Sequence, residues 1–339
     1  MENRNSKFEL LRIISMFMII CFHCSFHGKF LRGGYNEYII NIFNMFGELG
    51  VNCFVLISGY FYDRSHFKIK KFFDLIIQTW FYVIIGIVIA KLVFNQDIIS
   101  LIKDWLFPII RDKYWFVTCF ILLYLFQPFF CKLINVLTNK QLRQMVILML
   151  TIWSIIPSFM GKIEDYLYFN RFIWVTVIFF VGALINKNSG RICLRNSITL
   201  FIITLVALMA FIFVFTKLGI SRIPGNYWWP ANSMVQVVMS VSLFCIFVKM
   251  RMQNKKIINY VASCTFGIYL LHDGVLRNIL WDDIFNTYLF GTNCRVMAGI
   301  IISAIIVFLA GIIVDTLYKI LNKGLNLFFV VVCNKKRNI

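Results

Sequence analysis

The sequence has few charged residues and particularly few acidic ones. Only 14% of its 339 residues are charged, and 15 Asp and Glu stand against 34 Lys and Arg. Apolar residues reach 60% and the mean hydropathy is +0.79, which lies far outside the composition of soluble domains. This scarcity of charge along the whole length leaves no room for a large soluble catalytic domain. It predicts an integral membrane protein made of helical spans and short loops.

The sequence also lacks a regular cysteine framework. Its ten cysteines stand singly among apolar residues, so we interpret them as small buried side chains and not as disulfides. Cys21 and Cys24 lie beside His23, with His27 one turn further on, and this grouping raises the question of a metal site. The two thiols do not converge with both imidazoles on one helix, so we expect no metal.

About 20 apolar residues suffice to cross the hydrocarbon core of a bilayer. By this rule the sequence predicts an all-α bundle of about ten transmembrane helices. The bundle forms a single domain, 1–339, with no appended soluble domain. A stretch around Pro108 is too short to span and is predicted to be interfacial or re-entrant. The predicted spans are residues 8–27, 38–62, 72–94, 114–134, 145–160, 171–186, 197–217, 231–248, 260–280 and 296–318.

The distribution of basic residues supports this count. If ten helices alternate in direction, the segments on the side of the two termini carry 20 Lys and Arg, and the opposite segments carry eight. Lys and Arg concentrate in cytoplasmic loops, so both termini are predicted to be cytoplasmic. The net charge of +19 then reports orientation and contact with membrane lipids, and we expect no nucleic-acid partner.

The first span contains three ionisable side chains. Arg12 and His23 are eleven residues apart, which places them about 16 Å apart along a helix and on nearly the same face. Arg12 can pair with Glu9 or extend toward the membrane surface. An intramembrane His is either a hydrogen-bonded packing residue or an acid/base group.

The second span carries a polar stripe. Asn41, Asn44, Glu48 and Asn52 recur at spacings of three, four and four, so they share one face of an otherwise apolar helix. Within lipid, such a face must point into the bundle or toward a wet cavity. The alternative is that these side chains only join helices by hydrogen bonds.

The second span ends in Ser58 and Gly59, whose small side chains permit close approach of another helix backbone. A basic loop follows. Its cations can meet anionic lipid, which is the default interpretation, or a soluble anion such as a nucleotide phosphate. They are Arg64, Lys68, Lys70 and Lys71.

The ninth predicted span repeats the polar pattern. Thr265, Tyr269 and His272 lie at i, i+4 and i+7 and share a face, and His272 falls at a depth similar to that of the histidine in the first span. Asp273 and Arg277 are four residues apart and are predicted to form an ion pair.

These residues together resemble the acyltransferase-3 family, the multi-spanning membrane enzymes that O-acylate saccharides at the cell envelope. That family has a basic residue, ten further residues and a His on its first helix, as Arg12 and His23 do here. Its next helix ends in an aromatic-rich segment that closes with Ser, Gly and an aromatic residue, matched by Phe54 to Phe61. The further matches, in order, are Trp115, Phe116, Tyr124, Pro128, Gly182 and Thr265–His272.

The resemblance implies an activity. An acyl group, most commonly acetyl, would pass from cytoplasmic acyl-CoA to a hydroxyl of a polysaccharide or lipid-linked saccharide at the plasma membrane of a bacterium. His23 would be the general base or nucleophile. The depth and polarity of Glu48 suggest that it orients the imidazole or stabilises its charged form. The residues expected to contact acyl-CoA are Arg12, Ser58, Arg64, Lys70 and Lys71. Those expected to contact the acceptor are Asn44, Asn52, Trp115, Tyr269 and His272.

The polar face of the second span is also typical of a permeation path, so a transporter or flippase of a saccharide or polar lipid is the alternative function. Transporters are often built from inverted repeats and broken helix pairs, and the sequence shows neither. We therefore favour the acyltransferase, with acyl-CoA as a substrate and no permanently bound cofactor.

Overall fold

The computed structural model describes residues 4–63, 67–160, 170–220 and 230–337. Helix accounts for 81% of the structure, and these ranges contain no strand, which confirms the predicted all-α class. Helices are expected here because lipid offers no hydrogen bonds to exposed peptide groups. The helices are α1 (Ser6–His27), α2 (Gly34–Tyr60), α3 (Ile69–Leu92), α4 (Ile98–Trp105), α5 (Trp115–Val136), α6 (Asn139–Met160), α7 (Arg171–Lys187), α8 (Leu194–Lys217), α9 (Met234–Lys249), α10 (Lys256–Ser263), α11 (Thr265–His272) and α12 (Cys294–Arg337).

Seven helices in the described ranges are long and apolar enough to cross a membrane, namely α1, α2, α3, α5, α6, α8 and α12. Two further helices, α7 and α9, have only 17 and 16 residues. The protein is therefore a helical membrane protein, whereas the count of ten spans and the cytoplasmic termini stay predictions. The short α4 buries no side chain, and the interfacial or re-entrant position of the stretch around Pro108 stays a prediction.

The predicted ninth span, 260–280, is wrong as a continuous helix. α10 ends at Ser263 and α11 begins at Thr265. The ammonium group of Lys319 on α12 reaches this break, where it donates a hydrogen bond of 2.7 Å to Ser263 Oγ. A window of hydropathy cannot detect this interruption, because the interacting cation comes from a helix more than 50 residues away.

A buried carboxylate, Asp315, fixes the position of that cation. Asp315 pairs with Lys319 across 2.8 Å. On α3, Gln78 Nε2 and Tyr82 OH donate hydrogen bonds of 2.9 Å and 3.1 Å to Asp315 Oδ1. Because a buried ion pair is tolerated only when its remaining valences are satisfied, these contacts join α3, α12 and the α10/α11 break into one unit.

The crossing of α2 and α7 explains the Ser-Gly motif at the end of α2. A Cβ atom added at Gly59 would overlap the backbone carbonyl of Phe179, and one added at Gly182 would lie 2.5 Å from the Leu56 carbonyl oxygen. The two helix backbones are therefore in direct contact, as the small residues predict. This crossing positions α7 against the polar face of α2.

We expect Gly59→Ala and Gly182→Ala to destabilise the protein by about 1–3 kcal/mol each, because the backbones must separate to admit a methyl group. The measurement is the melting temperature of the purified protein in detergent. Gly190→Ala is the matched control, since a Cβ at Gly190 meets nothing within 4 Å. Equal melting temperatures for all three variants would contradict the assigned contact.

Candidate functional site

A cavity of about 840 Å³ opens between the helices. It extends along α1 from the level of Arg12 to the level of His27. Its wall combines aromatic and apolar side chains with a few polar groups, which is typical of small-molecule sites. Basic side chains line both ends. They are Arg4, Arg12 and Lys71 near the beginning of α1, and Lys113, Arg171 and Arg277 near its end.

Nine of the twelve residues predicted for the site line this cavity. Of the other three, Lys70 is exposed next to Lys71 and does not line it, and His272 is fully buried outside it. Arg64 lies outside the described residues. The nine that the fold brings together are Arg12, His23, Asn44, Glu48, Asn52, Ser58, Lys71, Trp115 and Tyr269.

Arg12 combines both roles that the sequence left open. Its guanidinium Nη1 lies 3.1 Å from Glu9 Oε1, one turn back on α1, so the local ion pair is present. Arg4 lies 3.8 Å from the same carboxylate group. Arg12 nevertheless remains partly exposed to the cavity and can bind an anion there.

His23 and His272 are in direct contact. His23 Nδ1 lies 2.9 Å from His272 Nε2, and His272 Nδ1 lies 2.6 Å from the carbonyl oxygen of Ile268. Both rings are buried. The sequence predicted that the two histidines lie at a similar depth, but not that they form a hydrogen bond. The rotation of α11 about its own axis, which directs His272 toward His23, depends on packing against α12.

An ionic group next to this pair was only partly predicted. Asp273 Oδ1 lies 3.4 Å from Arg277 Nη1, so the predicted ion pair is present. The same oxygen lies 3.9 Å from His23 Nδ1 and 4.0 Å from His27 Nε2. Asp273 thereby places a negative charge beside both imidazoles of α1, and in a water-poor interior such a charge acts strongly.

His23, His27 and Asp273 also offer three possible metal ligands within 4.8 Å of one another. Cys21 and Cys24, which the sequence raised as partners, are buried free thiols outside this group. The arginine and histidine contacts described above already engage Asp273 and His23. These side chains therefore already have partners within the protein. The absence of a metal stays a prediction.

The polar stripe of α2 divides into two parts. Asn52 joins helices, since its Oδ1 accepts a hydrogen bond of 3.0 Å from Trp174 Nε1 and its Nδ2 donates one of 2.8 Å to the Ala231 carbonyl. Asn44 Oδ1 accepts a 2.7 Å hydrogen bond from Ser25 on α1, which directs the amide nitrogen away from that contact. Glu48 lies between these two residues on the cavity wall.

Aromatic side chains cluster where α5, α7 and α11 meet the cavity. The Arg171 guanidinium lies 4.8 Å from the centroid of the Trp115 ring. Tyr269 packs against Phe116, with ring centroids 5.9 Å apart. The sequence analysis identified Trp115 and Tyr269. It counted Arg171 only among the eight basic residues on the side opposite the termini. The signal that could have identified Arg171 is its position directly at the start of an apolar helix.

We expect Asn52→Ala to lower stability by about 1–3 kcal/mol, because the Trp174 indole N–H and the Ala231 carbonyl lose their partner inside the bundle. The melting temperature in detergent measures this loss. Asn139→Ala is the comparison, since Asn139 hydrogen-bonds Asn188 at the surface end of α6 and water can replace that contact. A larger loss for Asn139→Ala would show that Asn52 does not join the helices.

Comparison with known proteins identifies the class. The family model of the acyltransferase-3 type, described as an acyltransferase domain, matches residues 5–315, which is most of the chain and includes all nine predicted site residues that line the cavity. No curated protein and no solved structure matches it. The protein is a membrane acyltransferase. It belongs to the acyltransferase-3 family, as the resemblance of its motifs predicted.

Proposed function

We propose that the protein transfers an acyl group, acetyl in the first instance, from acyl-CoA to a hydroxyl group of a saccharide. The acceptor is a polysaccharide or a lipid-linked saccharide of the cell envelope, and the enzyme resides in the plasma membrane of a bacterium. One observation carries the proposal. His23 lines a cavity that continues to basic side chains at both ends, so an anionic donor and an acceptor can reach the same imidazole.

The donor end lies at the beginning of α1. Arg12, Ser58 and Lys71 line the cavity there, and this end is cytoplasmic in the orientation predicted from the charge distribution. Arg and Lys side chains recognise phosphate groups by charge-assisted hydrogen bonds. If the CoA phosphates bind at this level, the roughly 16 Å of helix rise from Arg12 to His23 is of the order of length that a pantetheine arm spans.

His23 supplies the chemistry in this proposal. Its ring takes the proton of the acceptor hydroxyl, the hydroxyl oxygen bonds to the thioester carbonyl carbon, and the carbon–sulfur bond breaks. The proton then passes from the ring to the CoA thiolate, so the reaction balances without another reactant. The alternative is a transient acyl-imidazole on His23 that the acceptor hydroxyl then attacks.

Other cavity residues assist the reaction. Tyr269 lines the cavity, and Asn44 has an amide nitrogen beyond its contact with Ser25. Donors of this kind stabilise an oxyanion as it forms. Glu48, on the same wall, stabilises the charged imidazole, and Trp115 offers an aromatic face to a sugar.

The alternative function, transport of a saccharide or polar lipid, explains the polar cavity equally well. Family membership over residues 5–315 favours the transferase. A transporter would carry its solute without changing it, so covalent modification of the acceptor separates the two functions.

We expect His23→Ala to reduce acyl transfer by at least about 100-fold, since general base catalysis contributes on this scale. The assay uses purified protein in lipid nanodiscs, radiolabelled acetyl-CoA and envelope glycan from cells that lack the protein. His27→Ala, one turn along α1, is the comparison and should cost less. An unchanged melting temperature with full residual activity in His23→Ala would overturn the assignment.

We expect Lys71→Ala to raise the KM for acetyl-CoA about fivefold, which corresponds to roughly 1 kcal/mol of lost binding. The KM for acetyl-pantetheine, which lacks the nucleotide phosphates, should not change. Lys70→Ala removes the same charge from a residue outside the cavity and should raise the KM less. If Lys71→Ala and Lys70→Ala changed the KM for acetyl-CoA and for acetyl-pantetheine equally, Lys71 would act through the overall electrostatic potential and would not bind the CoA phosphates.

A further inference from the structure

The contact between His272 and the Ile268 carbonyl determines which nitrogen of His272 carries a proton. A carbonyl oxygen only accepts hydrogen bonds. His272 Nδ1 lies 2.6 Å from that oxygen, so Nδ1 must be the nitrogen that bears the hydrogen. The backbone of α11 therefore fixes one side of this ring in a helical i to i+4 contact.

The other side of the His272 ring is then an acceptor. The ring is fully buried, and no carboxylate oxygen of the described residues lies within 4 Å of its nitrogens. An unpaired buried charge is costly, so the ring is neutral, and a neutral imidazole with a proton on Nδ1 has a bare Nε2. This bare Nε2 faces His23 Nδ1 at 2.9 Å.

The tautomer of His272 determines the tautomer of His23. Two bare nitrogens would repel each other at 2.9 Å, so the hydrogen between the rings belongs to His23 Nδ1. Asp273 Oδ1, 3.9 Å from His23 Nδ1, is already paired with Arg277, so the buried His23 ring is also neutral in the resting protein and its Nε2 has no proton. This Nε2 makes no hydrogen bond to any described residue, while the ring lines the cavity.

We propose that His272 is a positioning residue that fixes the tautomer of His23, so that the unprotonated Nε2 faces the acyl-transfer cavity. This inference rests on the proposed function for its meaning in catalysis. The chain of contacts runs from the Ile268 carbonyl through His272 to His23 Nδ1. It performs with a second histidine the task that a carboxylate performs in Ser-His-Asp enzymes, namely holding the base in the reactive tautomer.

The arrangement also favours the charged state that forms during the reaction. When His23 Nε2 takes a proton, the ring becomes cationic and its Nδ1–H bond to His272 becomes charge-assisted and stronger. The carboxylate of Asp273, 3.9 Å from His23 Nδ1, stabilises the same charge. The contacts thus become stronger in the transition state than in the resting enzyme, which is the requirement for acceleration.

The tautomers can be measured in the resting wild-type protein. The chain has only four histidines, so labelling the imidazole nitrogens with 15N gives a small set of signals in solid-state NMR of the protein in lipid. His23→Gln and His272→Gln assign these signals by deletion. We expect protonated Nδ1 and bare Nε2 for both residues, and a 15N–15N correlation between His23 Nδ1 and His272 Nε2.

Kinetics of two variants test the consequence for catalysis. His272→Phe keeps the ring shape but removes the acceptor, and we expect kcat to fall at least about 100-fold with KM within about threefold, since wrong-tautomer variants of Ser-His-Asp enzymes lose even more. His272→Gln retains an oxygen acceptor in the region of Nε2 and should recover most of this loss. Across the variants, kcat should follow the fraction of His23 that NMR finds protonated on Nδ1.

The outcomes separate this inference from the proposed function. A wild-type His23 protonated on Nε2, or a His272→Phe variant with unchanged kcat, would overturn the positioning role even if acyl transfer depends on His23. If the tautomers are as expected but no acyl transfer to glycan occurs, the proposed function fails and the tautomer assignment stands. Should His272→Phe not fold, the wild-type spectrum and His272→Gln still decide.

Discussion

The close contact between α1 and α2 is the interaction on which the site depends. A Cβ at Gly47 would overlap the Phe22 side chain, and one at Gly50 would lie 2.6 Å from the Ser15 carbonyl oxygen. The two helices therefore touch along their length, and the histidine of α1 and the polar stripe of α2 face one space. Lipid provides no hydrophobic force between helices, so such close packing has to hold them together.

Three carboxylates in the described part of the bundle, Glu9, Asp273 and Asp315, each have a cationic partner. Glu9 pairs with Arg12 within α1, and Asp273 pairs with Arg277 directly after the end of α11. Asp315 and Lys319 add partners from a second helix. Charged side chains at membrane depth are energetically costly and are usually functional. The ion pairs that border the cavity would not be needed in a bundle with only a structural role. This supports a functional cavity at that place.

Much of this arrangement could be predicted because it is local. Helical periodicity placed Arg12 and His23 on one face and gathered the polar residues of α2 into a stripe. The spacing of Asp273 and Arg277 indicated their ion pair correctly. The break between α10 and α11 could not be predicted, because it accompanies contacts with a lysine of a distant helix. The division of the stripe, in which Asn52 joins helices while Glu48 faces the cavity, likewise depends on a tryptophan of α7.

The sequence by itself determined the class of the protein. Its apolar composition, the period of its polar residues and the order of its motifs define a helical membrane protein of the acyltransferase-3 family. Only the tertiary structure decided which polar side chains meet, since helix period fixes the face of a residue but not the neighbour of that face. In the tertiary structure, His272 does not line the cavity and instead contacts His23. Through that contact, the packing of α11 against α1 and α12 determines which nitrogen of His23 is available for chemistry.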